Sequence, residues 1–291
     1  MRLHQALNIK TNDVISFVGA GGKTTAALRL MEELAGLQRQ VVFTTTTKIL
    51  EPIPKQDEYL LLAGEEEALV QMPELLARYP KVFLAQRRLE EVDLTAPSTG
   101  LRAGLGEGDR DYPMRPNKVE GVSPFLVDHL ARRLGEAVIL VEADGARHRA
   151  LKAPAAYEPL VPASTTTLVP MADLTVLGKP LAEDHVHRPE LVAGLTGAAI
   201  GEPVTVEIVA TVLSHPQGGL KGLPGQARAI PILNIGLGKE RIGPRARISC
   251  IPNPLLDDAR QIAHLILRNK RVEKVAIASL RAPEPVLEVI T

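Results

Sequence analysis

The stretch Val14-Ile15-Ser16-Phe17-Val18-Gly19-Ala20-Gly21-Gly22-Lys23-Thr24-Thr25 constrains the fold more than any other part of the chain. Residues 14–18 are apolar and rich in β-branched side chains, which predicts a short buried strand. Three glycines and Lys23-Thr24-Thr25 follow, and residues 26–34 are good helix formers with Ala27, Leu30, Met31 and Leu34 on one face. Such a strand, loop and helix make a phosphate cradle. Glycine lets backbone N–H groups turn inward around an anion, and the helix N-terminus adds partial positive charge. Gly19, Ala20, Gly21, Gly22, Lys23, Thr24 and Thr25 are therefore expected to hold ATP or GTP. Lys23 would reach the outer phosphates, and the Thr24 hydroxyl would coordinate Mg²⁺. The loop is a short form, G-x-x-G-K-T-T. The usual pattern has a glycine five residues before its Gly-Lys pair, and Phe17 stands at that place. The competing reading is a glycine-rich turn with a solvated lysine.

Composition narrows the remaining classes. At 291 residues with 45% hydrophobic content, the chain can bury a sizeable core. Its 34 basic and 34 acidic residues cancel, so no global field draws it to nucleic acid or membrane. Aromatic residues make up only 3%, without tryptophan, which argues against base-stacking platforms. Cys250 is the sole cysteine, more a packed thiol than a nucleophile, so neither an internal disulfide nor a cysteine-rich metal site is available. No run approaches the roughly 18 apolar residues of a spanning helix, and residues 1–8 lack the apolar core of a signal peptide. A cytoplasmic protein is expected.

A second strand at 40–43 gives a βαβ unit, hence a parallel sheet with ligands beyond the strands' carboxyl ends. It runs into Thr44-Thr45-Thr46-Thr47-Lys48, where hydroxyls could face phosphate, metal or substrate; β-propensity alone is the alternative. A helix is expected at 65–79, a strand at 81–85, and a mobile loop at 97–116. Ser123-Pro124 signals a helix start. Residues 137–141 are continuously apolar, as in a central parallel strand, and lead into Glu142-Ala143-Asp144. Carboxylates at such a strand end are where Mg²⁺ is expected, with Glu142 and Asp144 projecting the same way. One would hold the metal and the other orient the attacking group. Lys23, Glu142 and Asp144 are thus the catalytic candidates, and Thr24, Glu142 and Asp144 the metal ligands. Arg147, His148 and Lys152 follow in a polar stretch suited to an anionic substrate.

Gly-Ala-Gly-Gly-Lys-Thr-Thr, Thr-Thr-Thr-Thr-Lys, Val-Glu-Ala-Asp-Gly-Ala-Arg and Leu-Lys-Ala-Pro occur in that order. Leu-Gly-Lys-Pro-Leu (177–181), His-Val-His-Arg-Pro-Glu (185–190) and His-Pro-Gln-Gly-Gly-Leu-Lys-Gly (215–222) continue the set. Together they resemble the YqeC family, the accessory proteins of selenium-dependent molybdenum hydroxylases. The resemblance spans nearly the whole chain. It implies a P-loop protein whose partners are a molybdenum hydroxylase or its cofactor-maturation proteins.

Further strands are expected at 165–169, 229–234, 247–251 and 273–278, with an antiparallel edge at 285–290 and helices at 189–195, 203–214 and 255–268. His185 and His187 are two residues apart and suit capping or substrate contact better than metal. The glycine-rich run to Lys221 reads as a loop closing over the site. Asn234-Ile235-Gly236-Leu237 lacks the Lys and Asp of the guanine-reading Asn-Lys-x-Asp motif. The expected fold is a single α/β P-loop NTPase-like domain over residues 1–291, three-layered, mostly parallel, with an antiparallel C-terminal edge. Thr45, Thr46, Thr47, Lys48, Arg147, Lys152, His187, Arg188 and Lys221 form the substrate-binding set. Arg147, Lys152, Arg188 and Lys221 would share a second anion site, unless they pair with Glu158, Glu183 or Glu190. Three activities fit: a Mg²⁺-dependent NTPase in enzyme maturation, an ATP-dependent kinase or ligase acting on a small acid, and a nucleotide-switched binding module. The short loop and strand-end Glu142 resemble those of Mur ligases and folate polyglutamate synthases, which supports the second.

Overall fold

The computed structural model describes residues 1–89, 113–236 and 253–291. The strand expected at 247–251, Cys250 and residues 97–112 of the expected loop lie outside them.

A one-turn helix α1 (Leu3–Ala6) precedes β1 (Val14–Gly19), and α2 (Lys23–Ala35) starts at the loop lysine. After β2 (Val41–Thr45) come two strands that sequence reasoning missed, β3 (Lys48–Pro52) and β4 (Glu58–Leu62). Next are α3 (Glu65–Arg78), β5 (Lys81–Ala85), the short β6 (Arg87–Arg88) and β7 (Met114–Glu120). Met114, Arg115 and Pro116 were expected in the mobile loop, but they belong to β7, which pairs with β3 and β6 in a small antiparallel sheet. Ser123 caps α4 (Pro124–Arg133) by accepting the Leu126 N–H, as its Ser-Pro start requires. Then follow β8 (Val138–Glu142), β9 (Leu151–Lys152), β10 (Thr167–Asp173) and β11 (Val186–His187). Helices α5 (Pro189–Thr196) and α6 (Val206–Ser214) lead to β12 (Arg228–Ala229) and β13 (Ile232–Asn234). The chain closes with α7 (Asn253–Ile266), β14 (Val275–Ala278) and β15 (Val286–Ile290).

The main sheet runs β15-β14-β13-β10-β1-β8-β2-β5-β4, with β12 beside β10. Every pairing in it is parallel except β14 with β15, so the antiparallel edge lies at the C-terminal end. Period-2 alternation divides the strands between two helical layers. Ile15, Phe17, Phe43 and Leu140 pack with Ala27, Leu30, Met31 and Leu34 of α2 on one face. Val14, Val18, Ile139 and Val141 face Leu126 and Leu130 of α4 and Met72 of α3 on the other. That second layer continues over β13 and β14 through α6 and α7. The architecture is three-layer α/β. Among the described residues no helix is long and apolar enough to cross a membrane.

Two consequences position the site. β8 is hydrogen-bonded directly to β1, with Phe17 opposite Glu142, so the strand-end acids emerge beside the glycine loop. Phe17 itself is fully buried against α2, so the place where longer loops carry glycine is core in this chain. Phe17→Ala should cost about 3–5 kcal/mol of stability through the cavity it opens. Urea denaturation checks this, and a loss below about 1 kcal/mol would mean the phenylalanine is not packed as described.

Candidate functional site

The glycine loop is wedged against the carboxyl end of β10. Gly19 and Gly21 have φ of +88° and +78°, and a Cβ on them would lie 2.5 Å from the Met171 carbonyl oxygen and 2.3 Å from the Asp173 nitrogen. Only glycine meets both demands. The Ala20 N–H donates to the Met171 carbonyl at 2.9 Å, which fastens the loop to β10. Asn234, at the end of β13, donates from Nδ2 to the Gly21 carbonyl and to Asp173 Oδ2. Its Oδ1 accepts the Leu280 N–H. Sequence reasoning tested Asn234 only as part of a guanine motif and missed this bracing. Asp173 was missed as well. Burial raises its carboxyl above the ordinary range despite hydrogen bonds from Thr175, Asn234 and Gly236.

At the first turn of α2 the charged groups converge. Lys23 is almost wholly buried; Nζ donates to the Gly19 carbonyl at 2.6 Å and lies 3.3 Å from Asp144 Oδ1 and 4.0 Å from Glu142 Oε1. The Thr24 hydroxyl donates to Glu142 Oε2 at 2.7 Å. Burial pushes the Glu142 carboxyl up, outweighing the opposing pull of Lys23 and Thr24. Asp144 is 2% exposed; Oδ2 accepts the Gly19 N–H at 3.1 Å, whereas buried Oδ1 has no hydrogen-bond donor. Glu142 and Asp144 thus project to the same side, as their spacing predicts.

Lys152 holds Asp144 from behind. Its fully buried ammonium contacts Asp144 Oδ2 at 2.9 Å, Glu158 Oε1 at 2.8 Å and the Gly145 carbonyl at 2.5 Å. Three acceptors use its three N–H donors, so none is left for the anionic substrate expected there. Arg188 also pairs with Glu158, donates to the Tyr157 hydroxyl at 2.8 Å and lies 5.5 Å over its ring. Lys221 donates to the Ala155 and Ala156 carbonyls. Glu158 is therefore the shared partner of Lys152 and Arg188, and one of the local acids that sequence offered as their competing partners. Arg147 is exposed and, among the described residues, makes no hydrogen bond or ion pair. Arg147, His148 and Arg188 have φ of +47°, +60° and +62°, an uncommon left-handed cluster of non-glycine residues. His187 sits among these cations. Burial first, and then Arg188, Lys152 and Arg147, lower its pKa to about 4.

The threonines divide differently. Thr45 and Thr46 donate their hydroxyls to the Glu142 and Leu160 carbonyls, tying β2 to the strand-end turn. Thr47 is half-buried beside Gly145, and Lys48 is exposed opposite Glu120 at the start of β3. Gly218 and Gly219, from the loop expected to close over the site, line a small crevice with Gly19, Asp144 and Lys152.

A model of the family described as YqeC protein matches residues 15–190. The chain belongs to the YqeC family. It is also 30% identical over 225 residues to "Uncharacterized protein YqeC" of Escherichia coli (strain K12), covering 77% of each chain. No solved structure matches. The matched YqeC segment holds the glycine loop, Glu142, Asp144, Lys152, Glu158 and Arg188, and leaves Asn234 and Leu280 outside.

Because His187 has a lower pKa folded than its ordinary 6.5, the unfolded chain binds more protons between about 6.5 and 4. Its contribution to stability is complete above pH 6.5 and is lost as pH falls toward 4. His187→Gln should flatten the stability–pH curve across that window. Denaturant midpoints at several pH values measure it, and an unaltered slope would mean that His187 is not the group responsible.

Proposed function

We propose that this YqeC-family protein is a Mg²⁺-dependent P-loop NTPase acting in the maturation of a selenium-dependent molybdenum hydroxylase or its cofactor. One observation carries the nucleotide part: Lys23, Thr24, Glu142 and Asp144 converge at a glycine loop and the start of α2. The enzyme partner rests on the ordered motifs that resemble the YqeC accessory proteins.

The donor set suits Mg²⁺. Two buried carboxylates and a hydroxyl are hard oxygen ligands, and Asp144 Oδ1 is a buried acceptor without a donor. No group of three or more His, Cys, Asp or Glu able to hold a metal occurs among the described residues. Mg²⁺ takes few protein ligands and completes its shell with water and phosphate. Thr24 and Glu142 would hold the ion, which neutralises phosphate charge when bound. Lys23 moves from the Gly19 carbonyl to the outer phosphates. That frees Asp144 Oδ1, still anchored through Oδ2 by Lys152 and Gly19, to orient the attacking water or hydroxyl.

A second reading, phosphoryl transfer to an anionic acceptor, is favoured by Arg147, a cation without an ion pair among the described residues that is near enough to His187 to help lower its pKa. Phosphate release with and without candidate small acids separates the two.

Lys23→Ala should weaken Mg-nucleotide binding about 10- to 100-fold, the worth of one charge-assisted hydrogen bond of about 1.5–3 kcal/mol. Unchanged affinity for a fluorescent nucleotide would sink the phosphate assignment. Glu142→Gln should cut hydrolysis far more than it weakens nucleotide binding without Mg²⁺, since a metal clamp contributes several kcal/mol in the transition state. Wild-type turnover in that variant would place the metal elsewhere.

A further inference from the structure

An open cavity of about 590 Å³ runs along the outer side of α2, from Thr25 in its first turn to Leu37 just beyond its end. Thr25 directly follows the Lys23-Thr24 pair, so the cavity begins where the phosphate loop ends. Leu280 joins the two. It lines the cavity, and its Cδ1 is 2.8 Å from where a Cβ on Gly22 would stand. On the opposite flank the loop has no room, because Asp173 and Asn234 are packed against Gly21. A nucleotide with its outer phosphates at Lys23 has open space on the α2 side and backbone on the other.

The lining is mixed in the way a nucleoside needs. Leu28 and Leu280, both almost wholly buried, form its apolar wall, and Leu37 is an exposed leucine at the far end. The charged lining is largely engaged already. Lys55 pairs with Glu32, Glu33 with His4 and Arg29, and Arg29 also donates to the Pro283 carbonyl. Arg281 differs: it is exposed, and among the described residues it makes no hydrogen bond or ion pair. A guanidinium plane stacks on aromatic rings, a role open to it in a chain with so few aromatic side chains.

We propose that this cavity receives the base and ribose of the bound nucleotide, with Leu28 and Leu280 as its apolar walls and Arg281 against the base. The proposal rests on the phosphate-loop reading and goes beyond it, since none of the nucleotide-binding residues inferred from sequence lies past Thr25.

The test compares ATP, GTP and inorganic triphosphate, each with Mg²⁺, on the full chain by equilibrium binding. Wild type should bind at least one of the two nucleotides more tightly than inorganic triphosphate. Arg281→Ala and Arg281→Gln should each weaken nucleotide binding by about tenfold, within the range of a desolvated cation–π contact, and leave inorganic triphosphate affinity unchanged. Equal affinity of wild type for nucleotides and inorganic triphosphate would overturn the proposal. So would nucleotide affinities that neither variant alters, or an equal loss for all three ligands. If wild type binds none of them, the phosphate-loop reading fails and this proposal falls with it, an outcome distinct from failure of the cavity alone.

Discussion

A carboxylate buried to 98% of its surface needs compensating charge, and Asp144 receives it from two ammonium groups and a backbone N–H. Much of the surrounding structure follows from that need. Parallel pairing of β8 with β1 brings the acid to the glycine loop. The left-handed glycine at 19 turns its N–H toward Oδ2. The segment after β9 carries Glu158, which shares Lys152 with Asp144. Removing Lys152 would leave Asp144 and Glu158 as like charges without the cation they share.

The two lysines compensate the same acid in different ways, and the difference gives the site its direction. Lys152 has spent every N–H on fixed acceptors inside the protein. Lys23 is held by the Gly19 carbonyl and by carboxylates 3.3 and 4.0 Å away, contacts that phosphate oxygens can replace. On the proposed phosphate-loop reading, charge balance at Asp144 would persist through Lys152 when Lys23 turns to phosphate. Beyond Lys152 the ion pairs pass through Glu158 to Arg188 and the Tyr157 ring at the surface. Arg188 itself holds a left-handed conformation, φ +62°, at the end of that chain of contacts.

Local patterns were legible where one residue type had one physical reading. The glycine loop, the Ser123-Pro124 cap, the apolar run before Glu142 and the antiparallel C-terminal edge all appear where the sequence implies them. β3 and β4 were not legible. β3 belongs to the small sheet completed by β6 and β7, and β4 is an edge strand whose Glu58 is buried beside Lys81. Their polar residues obscure the alternation that marks a strand. Residues of the small sheet also come from segments far apart in sequence.

For the site, sequence by itself determined which residues carry charge and which turns must be glycine. It also fixed which strand ends hold acids, because backbone conformation and strand periodicity are local properties. Only the tertiary structure decided how the cations are used. Lys152, Arg188 and Lys221 read alike along the chain, yet one is sealed against Asp144, one stacks on Tyr157 and one binds carbonyls of the 155–156 turn. The roles of Asn234 and Asp173 beside Gly21 were decided in the same way, by neighbours about 150 to 210 residues distant that the sheet order brings together. Charge is written in the residue, but its partner is set by which strands become neighbours.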